Sequence, residues 1–148
     1  PWVVVAMHKP CLSVGNYTCE PGPDLVNLLL SKKVDLVLSG HEHWYGRTKQ
    51  IGLGTGCGQL AIGSYDADCV KDGDNDLVQG AGTVFGTVGT GGTPLRDINF
   101  SDTELPYFAT TSGLNSNPTW GFLSVAADAD SLTGTFTRAA GATTPTRS

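Results

Sequence analysis

The chain has 148 residues, enough for one domain with a buried core and too few for two domains of ordinary size. Charged residues make up 16% of it, glycine occurs 20 times, and the net charge is −5. This negative charge disfavours a nucleic-acid backbone or an anionic membrane as a partner. No apolar run approaches the roughly 18 residues of a membrane-spanning helix.

The first third of the chain predicts a βαβ unit. Its parts are an apolar strand over 2–7, a loop over 9–22, a helix opened by Pro23 and an apolar strand over 34–38. Leu25, Leu28 and Leu29 have the spacing of a buried helical stripe. Strands joined by such a crossover run parallel, so their carboxyl ends meet at one edge of the sheet.

The middle of the chain carries weaker signals. Residues 52–82 are rich in Gly and Asp and predict an extended insertion. Residues 83–88 alternate as a strand does and lead into the Gly-rich turn 89–92. The polar stretch from 93 to 118 predicts no regular element.

The last part predicts a β-hairpin with strands over 120–127 and 132–138. We therefore predict an α/β domain over 1–138, followed by a disordered tail or linker at 139–148. The chain starts at Pro1, directly before an apolar strand. We expect it to be the C-terminal part of a longer protein.

Four cysteines predict disulfides rather than a zinc ribbon, because none of them forms a Cys-x-x-Cys pair. Three connectivities are open; the sequential one, Cys11–Cys19 with Cys57–Cys69, would close two short surface loops. Disulfides persist in oxidising compartments, which favours a secreted or periplasmic protein. The alternative is four reduced thiols in a cytosolic protein.

All three histidines follow predicted strands. His8 comes after the first, and His41 and His43 come after the second, two residues apart. Imidazole is a common ligand for zinc and also suits iron. Open α/β sheets build their sites at the carboxyl ends of strands. The histidines therefore predict a metal site at this edge.

The residues around these histidines resemble motifs of the calcineurin-like metallophosphoesterases, especially the purple acid phosphatase branch. The pattern Val-x-x-x-His-x-Pro is matched by residues 4–10, and Gly-His-x-His by residues 40–43. In that branch aromatic-Tyr-x-Arg often follows, as residues 44–47 do here. The turn at 89–92 stands where the family has a Gly-rich turn after a later strand.

The resemblance implies the C-terminal part of a four-layer α/β sandwich with two metal ions (Fe, Zn or Mn) between strand ends. It implies that His8 and His41 bind one ion and His43 the other, and that phosphate esters are hydrolysed by in-line attack at phosphorus. Arg47 could contact the phosphate or act only as a surface ion-pair residue, and Tyr45 could form an aromatic wall of the cleft or pack against the sheet.

The family's upstream motifs, Asp-x-His, Gly-Asp-x-x-Asp and Gly-Asn-His, do not occur in this sequence. Because they supply the remaining ligands, we expect the isolated chain to be inactive and hydrolysis to belong to a longer parent protein. Two alternatives stay open: a non-catalytic secreted module that binds metal, and a disulfide-stabilised structural domain in which the histidines are incidental.

Overall fold

A computed structural model describes residues 1–142 of the chain. The elements are the helix α1 (Pro23–Ser31) and the strands β1 (Val4–Ala6), β2 (Leu36–Ser39), β3 (Tyr45–Thr48), β4 (Gln50–Ile51), β5 (Val70–Asp72), β6 (Val84–Val88), β7 (Phe108–Ser112), β8 (Thr119–Ala127) and β9 (Leu132–Gly141). Short 3-10 turns lie at Ala67–Cys69 and Leu105–Tyr107.

Five strands form one mixed sheet in the order β1-β2-β6-β3-β7. Strands β1, β2 and β6 run parallel, whereas β3 is antiparallel to its neighbours β6 and β7. The predicted parallel βαβ unit and the strand after the insertion are thus confirmed. The fold is mixed α/β with far more sheet than helix. Parallel pairing brings the ends of β1, β2 and β6 to one edge.

The helix α1 begins at Pro23 as predicted, but the stripe predicted to be buried is wrong at two of its three positions. Val26 and Leu30 are buried and Leu29 is half-buried against the core, while Leu25 and Leu28 are 37% and 51% exposed. Both sets have helical spacing, and the position of the sheet decides which of them faces the core. Among the described residues, no helix is long and apolar enough to cross a bilayer.

Strand β3 lies inside the sheet although its sequence carries no strand signal. Residues 45–48 include a glycine, an arginine and a threonine and lack apolar alternation. Tertiary contacts stabilise the strand: the Thr48 hydroxyl accepts a hydrogen bond from the Phe85 N–H (2.9 Å), and Trp44 packs edge-on against Phe108. Strands β4, β5 and β7 likewise lie in stretches for which the sequence predicts no strand.

The predicted hairpin is confirmed as β8 and β9. Its turn is closed by Asp128, whose carboxylate accepts hydrogen bonds from the N–H groups of Asp130 (2.8 Å) and Ser131 (2.7 Å). These bonds hold the pKa of Asp128 below its ordinary value. Strand β9 continues to Gly141, so the first residues of the predicted tail belong to it. Residues 143–148 of that tail lie outside the described part of the chain.

Both disulfides have the sequential pairing. Cys11–Cys19 closes the loop between β1 and α1, and Cys57–Cys69 closes the insertion between β4 and β5. The prediction that the cysteines form disulfides is confirmed. The first of these loops lies beside the carboxyl end of β2, where His41 and His43 follow.

Glu104 joins two loops that are distant in sequence. Its side chain is buried, with one carboxylate oxygen accepting from the Ser13 N–H (3.0 Å) and the other from the Gly63 N–H (2.7 Å). Burial raises the pKa of Glu104, and the two N–H groups act in the opposite direction. The carboxylate therefore fixes the loop 11–19 to the insertion.

We expect Glu104→Gln to lower the free energy of unfolding by about 1–3 kcal/mol, the cost of a buried donor left unsatisfied. An amide has one acceptor oxygen, so one of the two N–H groups would face the NH₂ group instead. Urea unfolding followed by tryptophan fluorescence measures the change. The exposed Glu20→Gln is the control and should stay within about 0.5 kcal/mol of the wild type. Equal losses of unfolding free energy in both variants would contradict the role of Glu104 in fixing the loop 11–19 to the insertion.

Candidate functional site

Two histidines meet at the edge formed by the ends of β1 and β2. The Nε2 atom of His8 lies 3.1 Å from Nδ1 of His41, and the ring centroids are 4.9 Å apart. The Gly40 N–H donates to the His8 carbonyl (3.1 Å) and so fastens the two strand ends together. The parallel sheet thus brings together side chains 33 positions apart.

The backbone of His41 has a φ of 61°, in the left-handed region that few L-residues adopt. Histidine enters this region more often than most side chains, and strained residues of this kind cluster at functional sites. Because His41 is not in strand geometry, its ring can turn towards His8 rather than follow the alternation of β2.

The spacing of the two nitrogens fits a shared metal ion. Metal–nitrogen bonds of about 2.0–2.1 Å in a tetrahedral site put neighbouring ligand nitrogens about 3.3 Å apart, close to the spacing of His8 and His41. The other ring nitrogen of His41, Nε2, is buried and has no hydrogen-bond partner among the described residues. The same spacing also suits an N–H···N hydrogen bond between the rings.

His43 lies beside these two histidines in sequence but has a different environment. Its Nδ1 atom lies 3.1 Å from the Pro94 carbonyl. A carbonyl can only accept, and the Thr93 hydroxyl 3.4 Å from the same nitrogen can accept as well, so these contacts favour the neutral tautomer with hydrogen on Nδ1 and the lone pair on Nε2. Metal-bound histidines usually have this arrangement, in which a backbone carbonyl fixes the tautomer.

An ion pair lies next to the histidine pair. Lys9 Nζ is 2.8 Å from the Glu20 carboxylate, which is 3.6 Å from His41 Nε2. The hydrogen bond from Lys9 lowers the pKa of Glu20, and its charge adds to that effect. Glu20 therefore keeps a negative charge beside His41.

The described residues bring two of the three candidate histidines together. Within residues 1–142, no group of three or more His, Cys, Asp or Glu side chains is arranged to hold a metal ion. His8 and His41 fit the role of two ligands to one ion. His43 has the tautomer of a ligand and is not grouped with them.

Tyr45 and Arg47 lie away from the histidines. They line a cavity of about 330 Å³, together with residues of the hairpin and of the loop 75–79. The Tyr45 ring packs against Phe136 (centroids 4.3 Å apart), and Arg47 Nη2 donates to the Asn75 side chain at 2.5 Å. Tyr45 and Arg47 thus line a cavity that none of the three histidines lines.

Sequence reasoning assigned no role to Glu42, although it stands between His41 and His43. Its side chain is completely buried. The sequence did offer a signal: an acidic residue directly after an apolar strand and a glycine. A carboxylate is rarely buried without partners, so such a position indicates a group held by specific contacts. Tyr17 was also missed; its ring lies 4.3 Å from the His41 ring.

Gly89 allows the end of β6 to approach the histidine-bearing loop. Its N–H donates to the Trp44 carbonyl (3.1 Å), and a Cβ at this position would overlap the Glu42 carbonyl and approach the His43 Cα. By contrast, a Cβ at Gly91 would meet no atom of the described chain within 4 Å. Gly89, and not the whole turn, therefore sets this contact.

We expect Gly89→Ala to lower the free energy of unfolding by about 1–3 kcal/mol, as overpacking does, and to shift the NMR signals of His43. Gly91→Ala is the matched control and should remain within about 0.5 kcal/mol of the wild type. Thermal or urea unfolding and a ring ¹H–¹⁵N spectrum measure both effects. Indistinguishable variants would show that the contact tolerates a methyl group.

Comparison with known proteins finds similarity to parts of two acid phosphatases. An acid phosphatase of Aspergillus ficuum is 41% identical over 54 residues, which are 35% of this chain and 9% of that protein. Purple acid phosphatase 18 of Arabidopsis thaliana is 34% identical over 68 residues, which are 42% of this chain and 16% of that protein. No family model matches the chain. The chain thus matches less than a fifth of either relative's length.

Proposed function

We propose that this chain supplies the histidine ligands of a metal-dependent phosphoesterase. The observation that carries the proposal is the 3.1 Å approach of His8 Nε2 and His41 Nδ1 at the carboxyl ends of two parallel strands. The similarity to two acid phosphatases supports the same reaction class. The substrate class is a phosphate ester.

In this proposal His8 and His41 hold one ion, and His43 holds a second. Two ions of iron, zinc or manganese, when bound, activate water and stabilise the charge of in-line attack at phosphorus. The chain's own contribution is to orient the histidine ligands. The Pro94 carbonyl fixes the hydrogen of His43 on Nδ1 and leaves the lone pair of Nε2 available to a metal ion. Bound cations would also offset the net charge of −5 that otherwise repels a phosphate.

We further propose that residues 1–138 are the C-terminal part of a four-layer α/β sandwich. The mixed sheet with the helix α1 on it supports this architecture. The relatives are much longer than their matched segments, which supports a parent protein that contributes the remaining ligands. The isolated chain is then inactive. The two disulfides support a secreted or periplasmic location.

The first test is Zn²⁺ titration of the 148-residue chain against a chromophoric chelator. We expect His8→Asn and His41→Asn each to weaken Zn²⁺ binding by more than about 10-fold. Loss of a residue that only supports a metal ligand already weakens binding by about 10- to 100-fold, and loss of the ligand itself should cost at least as much. His43→Asn is the matched control, because a lone ligand of a second site contributes little to the first. Asparagine is chosen since it tolerates the left-handed backbone at position 41.

The second test uses the longer parent protein and p-nitrophenyl phosphate. There His41→Asn and His43→Asn should each lose bound metal and nearly all hydrolysis. Unchanged turnover in either variant would overturn the phosphoesterase assignment. One bound ion without hydrolysis in the parent would favour a metal-binding module, and none would favour a structural domain.

A further inference from the structure

The Glu42 side chain is completely buried and directly follows His41 in sequence. Its Oε1 atom accepts hydrogen bonds from the Ser13 hydroxyl (3.0 Å) and from the Tyr17 N–H (2.7 Å). Its Oε2 atom lies 3.6 Å from Nη1 of Arg96 and has no hydrogen-bond partner in the described part of the chain. A buried carboxylate is tolerated when donors and an opposite charge surround it, so Glu42 fixes the groups that face it.

The loop that supplies these donors wraps closely around the carboxylate. Ser13 and Tyr17 both lie within the segment closed by the Cys11–Cys19 disulfide. A Cβ at Gly15 would lie 2.5 Å from Glu42 Oε1 and 2.5 Å from the Trp44 indole nitrogen. The absence of a side chain at Gly15 therefore gives the loop room to approach Glu42.

The Tyr17 ring packs against the His41 imidazole, so the hydrogen bond that fixes Tyr17 to Glu42 also restricts the position of the His41 ring. The two ring centroids are 4.3 Å apart, with the planes tilted by 45°. The guanidinium carbon of Arg96 lies 5.1 Å from the centre of the same tyrosine ring, within the range of a cation–π contact. Tyr17 therefore contacts both His41 and the cation that faces Glu42.

Arg96 also holds the backbone on both sides of Glu42. Its backbone N–H donates to the His43 carbonyl (2.9 Å), and its side-chain Nη1 donates to the His41 carbonyl (3.4 Å). His41 has left-handed backbone geometry, so the alternation of β2 does not fix the direction of its ring. Contacts from outside the strand must do so.

We propose that Glu42, Tyr17 and Arg96 are positioning residues that hold the His41 imidazole with Nδ1 towards His8. The consequence for metal binding rests on the proposed function, whereas the orientation of the ring is a property of the metal-free protein. Loss of the tyrosine ring or of the Glu42 charge leaves both ligands in the chain but lets one of them turn.

The test compares Tyr17→Leu, Tyr17→Phe and Glu42→Gln with the wild type. In the metal-free chain, nuclear Overhauser contacts and ring ¹H–¹⁵N shifts report the position and tautomer of His41. We expect Tyr17→Leu and Glu42→Gln to move these signals and to weaken Zn²⁺ binding about 10- to 100-fold, as outer-shell changes do. Tyr17→Phe keeps the ring and loses only the hydroxyl, so it should leave both readouts as in the wild type.

Tyr65→Leu is the matched control, because it removes a tyrosine that is 39% exposed and packs on the Tyr107 ring rather than on a histidine. It should change neither the His41 signals nor Zn²⁺ binding. Unchanged His41 signals in both Tyr17→Leu and Glu42→Gln would overturn the positioning proposal. Should Glu42→Gln fail to fold, the Tyr17 pair decides by itself. A wild type that binds no Zn²⁺ would instead overturn the proposed function, and the ring signals would still decide the positioning.

Discussion

The side chain of Glu42, which stands between His41 and His43 in sequence, is completely buried. Removing a charge from water costs several kcal/mol, roughly, unless hydrogen bonds and an opposite charge offset it. Here the donors come from the loop 11–19 and the positive charge from Arg96. All of these groups must surround one carboxylate. This requirement fixes the end of β2, the loop 11–19 and the segment around Arg96 relative to one another. The positions of His41 and His43 follow from it.

The parallel strands supply the frame on which this arrangement is built. The ends of β1 and β2 are joined by the hydrogen bond from Gly40 to the His8 carbonyl, and β6 reaches the same edge through the hydrogen bond from Gly89 to Trp44. Ligands of open α/β sheets bind at such carboxyl edges because the strands stop there and the loops diverge. The two histidines therefore lie in the loops that directly follow two hydrogen-bonded strand ends.

The sheet also separates two groups of residues that are continuous in sequence. His41 and His43 belong to the edge, whereas Tyr45 and Arg47 line the cavity next to the β8–β9 hairpin. The division occurs because β3 begins at Tyr45 and turns back antiparallel to β6. A motif read along the chain gives the chemical types of its members, but the strand direction decides which of them share a site.

Apolar periodicity and parallel crossovers are local properties of the chain, and they were sufficient to predict the βαβ unit, the strand over 83–88, the hairpin and the common edge of His8 and His41. The tertiary structure alone decided which face of α1 is buried, that residues 45–48 form a strand, and which cysteines pair. It also decided the burial of Glu42 and its contact with Tyr17. Those features depend on partners distant in sequence, and their residues carry no local pattern that identifies the partner.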